Sequence, residues 1–133
     1  AIAAYQLGAT SGLLQKPVLD TAVRFQSDHK AHRDALVATI RKLGGRPTEE
    51  LAADKYVSSL GAASLKNQAD VLQLAARLEL GATNAYRAVI PSFRDGQLAK
   101  VAGRLAADET FHWTLLNSAL GRPLPAGALS FGA

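Results

Sequence analysis

The sequence predicts an all-α fold, an antiparallel four-helix bundle made of two repeated helical hairpins joined by a crossover link. Three observations predict it. Ala and Leu dominate the 133 residues, only 6% are aromatic, and few stretches show the β-branched alternation of a strand. Proline and glycine fall in clusters that divide the chain into helix-length segments. The third observation is an internal repeat.

Taken in order, Gln15-Lys16-Pro17 closes a first helix over about 1–15 and opens a second over about 18–43, which Gly44-Gly45 before Arg46-Pro47 ends. A third helix over about 60–90 stops at Ile90-Pro91, and a fourth over about 95–120 stops at Gly121-Arg122-Pro123. The first and last connections are short, so each pair reads as a hairpin. The link from Gly44 to Ser59 is long enough to cross a bundle; within it Thr48 is expected to cap a short turn that begins with Glu49 and Glu50. From about 121 to 133 the sequence reads as an irregular tail of one domain, with Leu129 or Phe131 expected to pin it.

The repeat supports this organisation. Ala4-Tyr5-Gln6-Leu7-Gly8-Ala9-Thr10 matches Arg77-Leu78-Glu79-Leu80-Gly81-Ala82-Thr83, which pairs Gln6 with Glu79. Asp28-His29-Lys30-Ala31-His32 matches Asp108-Glu109-Thr110-Phe111-His112, and Gly45-Arg46-Pro47 recurs as Gly121-Arg122-Pro123.

Composition narrows the chemistry. There are no cysteines, which excludes disulfide frameworks, thiolate zinc sites, iron–sulfur clusters and cysteine nucleophiles. The longest uncharged stretch, residues 1–15, is shorter than the ~20 residues of a membrane span. The net charge is +4. The stretch from Arg24 to Arg46 carries six basic residues against Asp28 and Asp34, so it holds the whole excess. Arg41 and Lys42 stand where a helix ends and complement its dipole, and no aromatic platform or DNA-reading motif accompanies them. A solvated helix face, with no nucleic-acid partner, is the expectation. Ala1 stands where a nascent chain has methionine, so a processed N-terminus and a periplasmic or secreted location are expected.

Helical steps of three and four residues define one apolar stripe per segment. The first runs through Ile2, Gln6, Ala9 and Leu13; the second passes Phe25, His29, His32 and Leu36 to Leu43. The third passes Leu72, Ala76, Glu79, Thr83 and Tyr86, and the fourth Val101, Leu105, Glu109, His112 and Leu116. Apart from Thr83 and Tyr86, the polar interruptions are Gln6, His29, His32, Glu79, Glu109 and His112, which include all three histidines. Counted from the turns at 1.5 Å per residue, they come level within about one helical turn. A buried carboxylate is tolerated only when it is paired or bound to a cation. The six are therefore candidate ligands of a divalent metal ion; the alternative is a closed hydrogen-bond network in a metal-free helical module that acts through its surface, by self-association as a homodimer or with another partner.

This pattern resembles the ferritin-like superfamily of four-helix bundles, in which two helices each give a Glu and two give Glu-x-x-His. Glu109-Thr110-Phe111-His112 matches that motif and Glu79 supplies a single Glu, while His32-Arg33-Asp34-Ala35-Leu36, the Gly-Arg-Pro and Leu78-Glu79 resemble small bacterial members that are often exported. The resemblance implies a core site for iron or manganese and, if the ion is iron with an open position, an oxidoreductase that oxidises Fe(II) with oxygen or peroxide. The first half departs from it: Gln6 and His29 stand where Glu is expected. Two carboxylates balance one divalent ion rather than two, and three imidazoles shift the preference towards zinc, copper or a single iron.

Overall fold

The structure, a computed structural model, describes residues 1–128. Among them are five α-helices and no strand: α1 (Ile2–Thr10), α2 (Lys16–Lys42), α3 (Ala53–Ser59), α4 (Gln68–Val89) and α5 (Gly96–Ala119), with short 3-10 turns at Ala62–Ser64 and Ile90–Ser92. The chain is thus all-α, as expected. No described helix is long and apolar enough to cross a membrane. The chain divides into two compact units, Ala1–Val71 and Leu72 onward.

In the first unit, α1 packs on α2 as a helical hairpin. Helix α1 is shorter than the expected 1–15, because Gly12 takes φ +72° and the Ser11 hydroxyl donates to the Gly8 carbonyl at 2.6 Å, closing the last turn. The buried face of α1 carries Tyr5 and Gly8, not the predicted stripe through Gln6. Gly8 favours this orientation: a Cβ there would sit 3.0 Å from Val71 Cγ1, so a larger residue would require Val71 to shift. With Gly8 and Tyr5 inward, Gln6 is turned out and exposed. Its Oε1 accepts a hydrogen bond from the nearly buried Gln26 Nε2 at 2.9 Å, and the same amide donates to the Ile2 carbonyl at 3.2 Å. The Gln15 amide, at the start of α2, donates to Gln68 Oε1 at 2.9 Å and ties the α1–α2 turn to the base of α4.

The link between the hairpins differs from its sequence reading. No helical turn follows Thr48; Glu49 instead pairs with Arg46 at 2.9 Å and Glu50 with Arg33 at 3.3 Å, and helix begins only at Ala53. Gly61, at φ +64°, then breaks the chain, which delays α4 to Gln68 rather than about 60. These ion pairs are exposed and contribute little to stability.

The second unit holds the remainder of α4, the Ile90–Ser92 turn and α5. Asp95 caps α5 by accepting from the Gln97 amide at 2.7 Å. The far end closes on Leu120-Gly121, with Gly121 at φ +67° and the Arg122 amide bonded to the Asn117 carbonyl at 2.9 Å. Helix α2 ends in the same way on Leu43-Gly44, with Gly44 at φ +79°. The structural counterpart of Gly121 is therefore Gly44, and Gly45 is one residue extra in the first copy. Two stripe positions are corrected outward, Leu43 and Val101, with Ala102 taking the buried place on α5. No helix follows Leu120 in the described part of the tail, and the anchoring expected of Leu129 or Phe131 lies outside the described residues.

The Asp95 cap gives a direct test of these helix limits. Asp95→Ala should lower unfolding free energy by about 1 kcal/mol and Asp95→Asn by a few tenths at most, read from urea midpoints at constant m.

Candidate metal centre

Helices α4 and α5 bring three ionisable groups together inside the second unit. Glu79 projects from the middle of α4; Glu109 and His112 lie one turn apart on α5 and so share a face. Glu79 and Glu109 are each 1% exposed, and His112 is buried with them. The sequence stripe placed all three in the interior, and they are there.

The geometry is informative. His112 Nδ1 lies 3.5 Å from Glu79 Oε2 and 3.5 Å from Glu109 Oε2. A charge-assisted N–H···O bond is normally about 2.7–2.9 Å, so both separations are long for hydrogen bonds. They match a different arrangement. Donors held about 2.1 Å from a common ion at the tetrahedral angle stand about 3.4 Å apart. One ligand atom from each of the three residues falls within 4.8 Å of the others. The residues present therefore fit a divalent cation in both donor type and spacing.

Charge points the same way. Burial disfavours the charged form of His112, but Glu109 and Glu79 together outweigh it and raise the imidazole from 6.5 to about 9. With both carboxylates ionised and His112 protonated, the group would carry one net negative charge. A divalent ion with neutral His112 brings the sum to zero. Further along α4, burial first and then the charges of Glu109 and Glu79 raise the Tyr86 hydroxyl.

In the first unit His29 and His32 are both buried, as the stripe predicts. His29 packs against Tyr5 with ring centroids 5.4 Å apart, and His32 meets His29 edge-on at 5.6 Å. Tyr5 in turn stands edge-on to Phe25 at 6.0 Å. The sixth candidate, Gln6, is exposed and engaged with Gln26. Sequence reasoning missed the buried polar residues Gln26 and Asn117, each one position from the stripe it followed. Gln26 carries the Gln6 contact, and Asn117 Nδ2 donates to the Trp113 carbonyl at 3.1 Å.

A pH dependence follows for the metal-free protein. The folded-state pKa of His112 is raised above its unfolded value, so its contribution is complete below pH 6.5 and is lost as pH rises through about 9. Unfolding free energy of chelator-treated protein should fall by an amount on the order of 3 kcal/mol between these limits. Denaturant titrations across that range check it; a flat profile contradicts the raised imidazole.

A family model described as a ferritin-like domain matches residues 1–122, which takes in both units. No curated protein and no solved structure matches the chain. With an all-helical fold, a buried Glu/Glu/His group and a match over nearly its whole length, the chain belongs to the ferritin-like domain family.

Proposed function

We propose that the chain is a metal-binding ferritin-like protein that holds one divalent ion on Glu79, Glu109 and His112. The observation that carries this reading is the pair of 3.5 Å separations from His112 Nδ1 to two carboxylates almost wholly removed from water.

The charge count supports one ion rather than two. The third and fourth carboxylates of a dinuclear centre are replaced by His29 and Gln6, and Gln6 is occupied with Gln26. In the first unit His29 is buried, and Tyr5 and His32 pack against its ring. A mixed imidazole and carboxylate set suits zinc, copper or a single iron better than manganese.

Bound iron would supply oxidation by oxygen or peroxide, and bound zinc a structural cross-link or Lewis acidity. The chain's own contribution is clearer. Burial excludes bulk water from the donors, Glu79 and Glu109 provide the neutralising charge, and His112 must surrender the proton on Nδ1 before that nitrogen can donate.

Elemental analysis of protein prepared without chelators or a histidine tag should give about one ion per chain, falling to near zero in His112→Leu and Glu109→Gln. At about 100 times Kd, added Zn(II) should raise unfolding free energy by about 2.7 kcal/mol. A protein that takes up neither Fe(II), Zn(II) nor Cu(II), and that gains stability when His32 and Glu109 are changed to Leu, would be the metal-free module instead.

A further inference from the structure

Among the described residues of the second unit, Thr83 carries a buried, unpartnered polar atom outside the ligand set. It is 0% exposed, and its Oγ1 has no hydrogen-bond partner among the described residues. Enclosing a hydroxyl in that state is unfavourable by about 1–3 kcal/mol. Valine has nearly the same shape and would avoid the penalty.

Helical threonines usually relieve it by bonding back to the preceding turn, and this chain does so repeatedly. Thr10 donates to the Gln6 carbonyl at 2.9 Å, Thr21 to Pro17 at 3.0 Å, Thr39 to Ala35 at 2.8 Å and Thr110 to Ala106 at 2.7 Å. Thr83 is better shielded from water than any of these, yet does not bond back.

Its place on α4 says what it faces. Thr83 is one turn beyond Glu79 on the same face of the helix, and Tyr86 follows one turn later. The helical spacing therefore places the Thr83 side chain between Glu79 and Tyr86 along that face. Glu79, Glu109 and His112 are three protein donors, and three side chains leave a fourth tetrahedral position for a small molecule.

We propose that the Thr83 hydroxyl is the binding group for a small non-protein ligand of the ion, water or a compact anion in its place, to which it donates a hydrogen bond. This rests on the metal-binding reading above and adds to it an open position on the Thr83 side. The hydroxyl suits the task because it both donates and accepts, and because burial removes competing water.

The test uses the full chain loaded with Co(II), whose visible absorption reports its coordination, titrated with azide. In the wild type azide should change the spectrum and saturate. Thr83→Val should take up Co(II) to the same stoichiometry but bind azide about ten- to a hundredfold more weakly, the loss expected for one hydrogen bond to a charged group. Thr83→Ser should stay within about threefold of the wild type; Thr83→Ala serves as a second variant without the hydroxyl. A second readout needs no metal: chelator-treated Thr83→Val should melt no lower than the wild type, since it loses only an unpartnered hydroxyl. Equal azide affinity with and without the hydroxyl, an azide-silent wild type, or a lower melting temperature for metal-free Thr83→Val each overturns the role of Thr83 while leaving the metal site standing. A wild type that binds no Co(II) removes the metal reading, and this inference with it.

Discussion

Two carboxylates enclosed in a helical interior impose the constraint on which the site depends. Glu79 and Glu109 are each 1% exposed, whereas the other acidic residues are exposed or, at Asp28 and Asp70, half-buried. The interior cannot hold two such charges without compensation. His112 supplies one positive charge when protonated, and the two carboxylates raise its pKa against the opposing effect of burial. One imidazolium leaves the account one charge short. A divalent ion closes it and turns two over-long hydrogen bonds into ordinary ligand–ligand spacings. The helix-to-helix contact, the proton on His112 and the fit to a metal are thus consequences of one electrostatic requirement.

Departures in the first half of the chain set how many ions can be held. Four buried carboxylates would suit two ions, whereas the stripes of this sequence offer two, with His29 and Gln6 at the matching positions of the repeat. The amide has also moved: with Gly8 and Tyr5 against the first unit's interior, Gln6 faces out and serves the α1–α2 hairpin through Gln26. The same unit keeps His29 and His32 buried and ring-packed, with Tyr5 as a wall.

Much of this was legible from spacing alone. Glu79, Glu109, His112, His29 and His32 interrupt apolar stripes of helical period, and all five are buried, because long amphipathic helices leave little freedom in which face turns inward. Helix α1 is only nine residues long, and there the stripe failed. A short helix is oriented by its closest contact, the Gly8–Val71 approach, which no periodicity encodes. The link was misread for a related reason. Glu49 and Glu50 look like the first turn of a helix, but Arg46 and Arg33 offer them ion pairs, and Gly61 sets the break that separates α3 from α4. Thr83 was visible only as a small interruption in a stripe. Its missing back-bond is a property of side-chain direction, which sequence does not carry.

The most direct measurement is anomalous diffraction from a crystal of the metal-loaded protein, scanned at the iron, copper and zinc absorption edges. The account predicts one peak per chain, about 2.1 Å from Glu79 Oε2, Glu109 Oε2 and His112 Nδ1. A peak at the surface, two peaks between the helices, or no peak with His112 Nδ1 hydrogen-bonded to both carboxylates would contradict it.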